Sequence, residues 1–162
     1  MAQAQRGETA KIDARGARLL AVEARFYDGI GAMLLEGARK AAAAAGATLD
    51  LVSVPGALEI PAALAIALDD ADRDGRPYDG AVALGCVVRG ETFHFEIVAG
   101  ESARALMDLS VARRFPLGNA ILTVETLAQA EERADPARGD KGGEAVRAAL
   151  ALVALKRGAR VR

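Results

Sequence analysis

Short apolar segments alternate with longer segments of helical periodicity along nearly the whole chain. The apolar segments, at about 19–22, 49–54, 81–88 and 119–124, are typical of strands buried within a sheet. Buried strands joined through helices pair in parallel with right-handed crossovers. The order of elements therefore predicts an α/β protein, a three-layer α/β/α sandwich with a four-stranded parallel sheet of flavodoxin-like type.

The segments between the predicted strands have apolar residues at helical spacing, and Gly46 is placed to end the first of them. Two further helices are expected after the fourth strand, broken at Asp135-Pro136 and Gly139. The three earlier helices are predicted over about 30–45, 58–71 and 93–113.

The chain of 162 residues has the length of one domain. Residues 1–16 are polar and rich in Gly and Ala, and we expect them to form an N-terminal arm outside the core. Residues 17–157 contain all the alternating elements and form the predicted domain, and residues 158–162 form a C-terminal tail.

Composition excludes several classes of protein. With 52% hydrophobic and 27% charged residues the chain is not a disordered segment, and its net charge of −1 excludes a strongly basic nucleic-acid binder. Charges interrupt every apolar run before the roughly 18 residues of a membrane span, and the first ten residues lack a signal-peptide core, so we expect a cytoplasmic protein. The single cysteine, Cys86, and the single histidine, His94, exclude a disulfide framework and thiolate or multi-histidine metal sites.

Ligands of open parallel sheets bind outside the carboxyl ends of the strands, where the strand order reverses. This rule selects residues 24–27, 55–59, 88–92 and the end of the fourth strand. Gly90-Glu91-Thr92 leads into a helix, where free backbone N–H groups and the helix dipole attract an anion. Thr92 is equally suited to cap that helix.

Four side chains near these strand ends are candidates for chemistry. His94 can exchange protons near neutral pH, since its unperturbed pKa is about 6.5, although a lone histidine is commonly structural. Glu59 either complements a helix dipole or accepts hydrogen bonds from ligand hydroxyls. Phe26 either fills the core or presents its face to a planar ring. Cys86 lies in an apolar strand, and we interpret it as a small buried hydrophobe rather than a nucleophile.

Gly29-Ile30-Gly31 follows the first strand and is only part of a dinucleotide-binding motif. Leu34 occupies the position of the third glycine, which argues against a nicotinamide-dependent oxidoreductase. The chain has no glycine-rich loop ending in Lys-Ser or Lys-Thr, so a P-loop is excluded.

Taken together, the motifs resemble the 6,7-dimethyl-8-ribityllumazine synthase family over about residues 17–157. The family implies a transferase of riboflavin biosynthesis that condenses 5-amino-6-(D-ribitylamino)uracil with 3,4-dihydroxy-2-butanone 4-phosphate and needs no metal or organic cofactor. Each motif alone is weak, and their shared order along the chain makes the resemblance specific. The matching segments are 25–27, 54–61, 85–96, 118–126, 132–134 and 140–144.

The resemblance implies a role for each matching residue at the ring-binding end of the site. Phe26 stacks on the pyrimidinedione, Glu59 holds the ribityl hydroxyls, and His94 transfers protons. The implied pocket lining, with the last three touching the ring edge through their backbone, is Ala57, Leu58, Cys86, Val87 and Val88.

At the other end of the site, the resemblance implies that Glu91 and Thr92 receive the substrate phosphate, that Arg133 pairs with it, and that Lys141 is a further nearby cation.

Two positions depart from the family pattern. Many members have an aromatic residue where this chain has Asn119, so the second wall of the pyrimidine slot is expected to be polar. Many have Ala where this chain has Glu91, so the phosphate contact there depends on the backbone alone.

The resemblance also implies a homopentamer in which the Phe26, Glu59 and His94 loops face a neighbour's loop around Asn119. Apolar residues of the helix after His94 suit packing against the sheet and around a five-fold axis, and the arm could join a neighbour's sheet edge through Ile12. Those helix residues are Val98, Leu106, Leu109 and Val111.

Two alternatives to a free, active pentamer stay open. Family members also form icosahedral shells of pentamers. Residues 134–140 lack the Gly-Thr-Lys-Ala-Gly pattern associated with shells but match the shell formers in length, and free pentamers are the expectation. A flavin- or lumazine-binding or shell-forming relative with little activity is the other alternative. It is disfavoured by the joint presence of Phe26, Glu59, Thr92, His94 and Arg133.

Overall fold

The computed structural model describes residues 12–158, and its strands form one sheet with the order β2-β1-β3-β4. All three neighbouring pairs are parallel, which confirms the predicted α/β/α sandwich. The two central strands carry the most deeply buried residues, as expected for a sheet covered on both faces. The strands are β1 (Arg18–Ala24), β2 (Thr48–Val54), β3 (Gly80–Val88) and β4 (Leu117–Val124).

The helices lie where their apolar spacing predicts them, with ends shifted by one to a few residues. The first helix ends at Ala44, two residues before Gly46, whose φ of +69° belongs to the left-handed region that glycine adopts easily. A short 3₁₀ turn, Ala57–Glu59, precedes the second helix and was not predicted. The helices are α1 (Asp28–Ala44), α2 (Ile60–Arg73), α3 (His94–Arg113), α4 (Leu127–Ala134) and α5 (Lys141–Lys156). None of the helices in residues 12–158 is long and apolar enough to cross a membrane.

The helices divide between the two faces of the sheet. Helices α1, α4 and α5 cover one face, where Leu34 and Val146 pack on Leu19 and Leu84. Helices α2 and α3 cover the other face, where apolar side chains of both helices pack on the strands. The residues of α2 and α3 in this second cluster are Ile60, Leu64, Leu68, Val98 and Leu106.

The predicted position of the N-terminal arm outside the core is wrong for its described part. Ala14 is fully buried in the core, and Ile12 packs against that core on its own chain. The backbone N–H of Gly16 donates to the Gly46 carbonyl at 2.9 Å, and this bond carries the chain across the end of α1. The small apolar side chain of Ala14 is therefore part of the core. Residues 1–11 and 159–162 of the predicted arm and tail lie outside the described residues.

The strand order reverses between β1 and β3. The chain runs from β1 outward to β2, and returns through α2 to β3 on the other side of β1. The loops that follow β1 and β3 therefore diverge to opposite faces and leave a crevice at their carboxyl ends. This is the edge of the sheet at which the sequence predicts the site.

Candidate functional site

A cleft of about 460 Å³ opens at the carboxyl ends of β1 and β3. Its size is within the range of pockets that hold small molecules. Three of the four stretches selected from the sequence line it: the loop after β1, the turn after β2 and the loop after β3. The predicted site residues that the cleft brings together are Phe26, Ala57, Leu58, Glu59, Cys86, Val87, Val88, Thr92 and His94.

Phe26 presents its ring to the cleft and does not fill the core. The residue is 75% exposed, and its ring meets Tyr27 edge-on, with centroids 5.1 Å apart and planes at 72°. At this exposure the ring is available to stack on a planar ligand that enters the cleft.

The turn after β2 places a carboxylate at the cleft. Pro55 and Gly56 end the strand, and the buried Ala57 anchors the 3₁₀ turn from which Leu58 and Glu59 project. A Cβ built on Gly56 would lie 2.9 Å from Glu59 Oε2, so the missing side chain leaves room for the carboxylate. Glu59 can therefore accept hydrogen bonds from a ligand that enters the cleft.

The end of β3 forms the apolar wall of the cleft. Cys86 is 9% exposed, and burial raises the pKa of its thiol to about 11. A thiol with this pKa stays protonated at neutral pH, which agrees with its interpretation as a small hydrophobe. Val87 and Val88 continue the wall, half-buried, toward the loop that follows.

The loop between β3 and α3 offers backbone donors beside His94. Among residues 12–158, the N–H groups of Glu91 and Thr92 have no backbone acceptor. The Thr92 hydroxyl accepts a hydrogen bond from the His94 N–H at 3.4 Å, leaving its own proton free to donate. His94 is the exposed first residue of α3 and lines the cleft. The loop thus combines anion-binding donors with a group that can exchange protons.

Arg89 braces this loop, a role that sequence analysis did not predict. Its guanidinium lies 4.2 Å from the centroid of the Phe95 ring and pairs with Glu96 and with Glu125, whose Oε2 is 2.8 Å from Arg89 Nε. The hydrogen bond to Glu96, followed by the smaller effect of the hydrogen bond to Glu125, raises the pKa of Arg89. The same hydrogen bond between Arg89 and Glu96 lowers the pKa of the Glu96 carboxyl. The brace ties the end of β3 to the first turn of α3.

Two cleft residues are neither predicted site residues nor part of the selected strand ends: Phe95 and Val98. Phe95 is an aromatic residue next to His94, in a chain with only 4% aromatics. That scarcity was the available signal. The sequence held no such signal for Val98, because an apolar residue one helical turn after His94 cannot be told from a residue of the hydrophobic core.

Two predicted site residues lie near the sheet but outside the cleft lining. Glu91 is exposed in the loop between Gly90 and Thr92. Asn119 is exposed on β4 opposite Ala83, well before the carboxyl end of that strand, and its Oδ1 accepts from the Ile121 N–H at 2.8 Å.

The two predicted cations lie on α4 and α5, which cover the face of the sheet that α2 and α3 leave open. Arg133, on α4, is exposed and donates from Nη1 to the Gln129 carbonyl at 3.0 Å. Lys141 begins α5, with its Nζ 2.8 Å from Glu144 Oε2. Neither Arg133 nor Lys141 is among the described residues that line the cleft of this chain.

Comparison with known proteins assigns the chain to a family. The family model described as 6,7-dimethyl-8-ribityllumazine synthase matches residues 16–157. A protein of that name from Methylocella silvestris is 69% identical over 145 residues, which are 90% of this chain and 88% of the relative. 6,7-Dimethyl-8-ribityllumazine synthase 1 of Rhodopseudomonas palustris is 66% identical over 91% of this chain and 90% of its own. The synthase of Azorhizobium caulinodans is 60% identical over 93% of each chain. The chain therefore belongs to the 6,7-dimethyl-8-ribityllumazine synthase family.

Proposed function

We propose that this chain is a transferase that makes 6,7-dimethyl-8-ribityllumazine from 5-amino-6-(D-ribitylamino)uracil and 3,4-dihydroxy-2-butanone 4-phosphate. Family membership over residues 16–157 supports the reaction. The observation that carries the proposal to this molecule is the cleft at the strand-order reversal, where an exposed aromatic face, a carboxylate and a histidine meet. These groups match a planar ring, a polyol chain and a proton-transfer step.

The ribitylaminouracil occupies the part of the cleft between Phe26 and the end of β3. Its pyrimidinedione stacks on the exposed Phe26 ring, and its edge meets the backbone of residues 86–88. Its ribityl hydroxyls donate to Glu59, whose carboxylate lies beside Gly56. Charge-assisted hydrogen bonds of this kind are about twice as strong as neutral ones, so Glu59 contributes to the choice of a polyol substrate.

The phosphate of the second substrate binds the loop that precedes α3. The amides of Glu91 and Thr92 have no backbone acceptors among the described residues, and the Thr92 hydroxyl adds a donor. The helix dipole of α3 favours a negative charge at the same place. The Glu91 side chain takes no part in this contact, because its carboxylate would repel the phosphate.

The reaction forms two new C–N bonds and releases one phosphate and two water molecules. The primary amine of the uracil attacks the ketone, and loss of water gives a Schiff base. Phosphate then leaves together with a proton from the adjacent hydroxyl-bearing carbon, and the enol that results tautomerises to a new carbonyl. Attack of the ribitylamino nitrogen on this carbonyl closes the ring with loss of the second water. Each condensation needs protons moved between nitrogen and oxygen, which is the role we assign to His94. The substrates are intrinsically reactive, so their orientation in the cleft supplies much of the rate.

Arg133, Lys141 and Asn119 join the site from a neighbouring copy of the chain. Neither cation lines the cleft of its own chain, yet the Arg133 guanidinium is exposed, and among residues 12–158 its one hydrogen-bond partner is a backbone carbonyl of its own helix. An adjacent subunit can present them to the phosphate and Asn119 to the ring. A homopentamer, as expected from the family, meets this requirement, and the proposed location is the cytoplasm.

The test is to mix both substrates with purified protein and follow the fluorescence of the lumazine product. Controls omit the protein, which measures the spontaneous reaction, and omit each substrate in turn. Turnover well above the spontaneous rate supports the proposal. Binding of the product without turnover would favour the relative with little activity, and failure to accelerate the reaction at any substrate concentration would overturn the proposal.

A further inference from the structure

A carboxylate that the site does not explain is buried in the middle of the sheet. Glu23, near the end of β1, is 2% exposed and lies between Ser53 of β2 and Leu84 of β3. Its Oε1 accepts from Ser53 Oγ at 2.8 Å and from Arg25 Nε at 3.0 Å. Its Oε2 is buried and has no hydrogen-bond partner among the residues that the structure describes.

This arrangement is costly as a source of stability alone. Burying a carboxylate carries a large desolvation penalty that its ion pair offsets only in part, and an apolar residue in this strand would avoid it. On the face of the sheet that Glu23 occupies, Ala21 of β1 and Leu84 of β3 are apolar and buried. An apolar side chain would therefore fit at position 23, and the presence of a carboxylate there needs an explanation other than stability.

The partner of Glu23 connects it to the substrate loop. Arg25 is the first residue after β1, and its Nη1 also reaches Asp28 Oδ1, in the first turn of α1, at 3.3 Å. The stem of Arg25 lies on Gly31, where a Cβ would come 3.1 Å from Arg25 Cγ. The hydrogen bond to Glu23 is the largest cause of the raised pKa of Arg25. Arg25 is thus held at both ends of the three-residue loop that contains Phe26.

Phe26 has little else to hold it. Its ring is exposed and meets Tyr27 within the same loop. The loop backbone is therefore what sets the direction of the ring, and a misplacement of about 1 Å can cost about 100-fold in rate.

We propose that Glu23 is a positioning residue that, through Arg25, fixes the loop on which Phe26 stacks against the pyrimidinedione substrate. This inference rests on the proposed function and deepens it. Glu23 does not touch substrate. It acts by restricting the loop before the ring binds, so its loss weakens binding of the ribitylaminouracil and leaves the phosphate end of the site unchanged.

The experiment compares four single variants and one double variant in the lumazine assay. Glu23→Leu removes the anchor and keeps an apolar side chain of similar length. Glu23→Gln keeps an acceptor for Arg25. Ser53→Ala removes the other hydrogen bond to the same oxygen. Phe26→Ala removes the stacking ring, and it is combined with Glu23→Leu in a double variant. Thermal unfolding of each variant reports folding separately.

We expect Glu23→Leu to raise the KM for the ribitylaminouracil by about five- to twentyfold, less than the full cost of a lost charged hydrogen bond. The KM for the phosphorylated substrate stays within about twofold, as its contacts are untouched. Glu23→Gln recovers most of the affinity, and Ser53→Ala changes it by less than about threefold. In the Phe26→Ala background, Glu23→Leu has no further effect on either KM.

An equal rise of both KM values, an effect of Ser53→Ala as large as that of Glu23→Leu, or an undiminished effect in the Phe26→Ala background would overturn the inference. If Glu23→Leu does not fold, Arg25→Lys replaces it, because Lys keeps the charge but lacks the Nε donor. An unchanged KM in the folded Arg25→Lys protein would also overturn it. A wild-type protein that makes no lumazine refutes the proposed function instead, so the two failures are distinguishable.

Discussion

The Thr92 hydroxyl oxygen accepts a hydrogen bond from the backbone N–H of His94 across 3.4 Å. The bond is long and contributes little to stability. It does tie the loop that offers backbone donors to an anion to the first residue of α3, from which His94 enters the cleft. The backbone donors that we propose for the phosphate and the group that we propose for proton transfer are therefore built on one local structure.

We expect His94→Ala to lower kcat by about ten- to a thousandfold while the KM values for both substrates stay within about threefold. Proton transfer stabilises the transition state and not the bound substrates, which is why kcat changes alone. Steady-state kinetics by lumazine fluorescence give both constants. His94→Gln is the matched variant, since it keeps a polar side chain and cannot exchange protons. Wild-type turnover in either variant would remove His94 from the mechanism.

Arg133→Ala should act through the phosphorylated substrate. Losing a charge-assisted hydrogen bond costs about 1.5–3 kcal/mol, so the KM for this substrate should rise by about one to two decades. The KM for the ribitylaminouracil should change far less. Arg138→Ala is the control, because Arg138 is also exposed and pairs only with Asp135 among the described residues. Equal increases for both substrates would give Arg133 a structural role.

The fold and one half of the site follow from the sequence for a common reason. Apolar runs bounded by polar residues, Gly and Pro determine where β1, β2 and β3 end, and parallel topology collects those ends at one edge. Phe26, Glu59 and His94 are each within a few residues of such an end, so their convergence was predictable. Only the 3₁₀ turn at Ala57–Glu59 was missed there, because three residues are too few for a periodic pattern.

How the two predicted cations relate to the cleft does not follow from the motifs. Motif order says nothing about which chain supplies a residue to a cleft, and neither Arg133 nor Lys141 is among the described residues that line the cleft of this chain. The positioning role proposed for Glu23 was not predicted, because a single acidic residue within an apolar run looks like a break in the strand and not like a buried carboxylate. The available signal was Arg25, two residues later and hence on the same side of β1.

We expect Cys86 to react slowly in the folded protein. Its thiol pKa is raised from 9.0 to about 11 by burial, which lowers the thiolate fraction near neutral pH by about 100-fold. Carboxamidomethylation followed by mass spectrometry should proceed in the native protein only as the pH approaches about 11, and in urea-unfolded protein from about pH 8 upward.

The same shift predicts a change in stability with pH. Because the folded pKa is above the unfolded value, the contribution of the Cys86 thiol to stability is complete below pH 9.0 and is lost as the pH rises toward about 11. Cys86→Ala should lack this dependence and keep its activity. Rapid native alkylation near neutral pH would contradict the prediction.

Close packing between α1 and α5 predicts that Gly142→Ala is destabilising. A Cβ on Gly142 would collide with the backbone carbonyl of Leu34, which cannot move without displacing α1. We expect the free energy of unfolding to fall by about 1–3 kcal/mol, measured by urea denaturation at a fixed protein concentration. Gly29→Ala is the control, because no heavy atom lies within 4 Å of its Cβ position, and it should be neutral or stabilising. Equal effects of both substitutions on the free energy of unfolding would contradict the prediction that close packing between α1 and α5 excludes a Cβ at Gly142.

The last prediction concerns assembly. Helix α3 buries Val98 and Leu106 on its own sheet and leaves a row of large apolar side chains exposed on its outer side. Exposed apolar surface of this extent typically marks a contact with another protein surface. The exposed residues at the start of α3 and along it are Phe93, Ile97, Met107 and Val111.

Equivalent α3 helices packed around a five-fold axis would cover this row and bring a neighbour's Arg133 to each cleft. Light scattering should therefore give a mass near five chains, whereas a far larger particle would indicate a shell of pentamers. Met107→Glu places a charge at the contact and should yield smaller species that have lost most lumazine synthesis, since their clefts lack the neighbour's cations. Ala148→Glu, on the exposed side of α5, should leave mass and activity unchanged. A fully active monomer, from the wild type or from Met107→Glu, would refute the shared site.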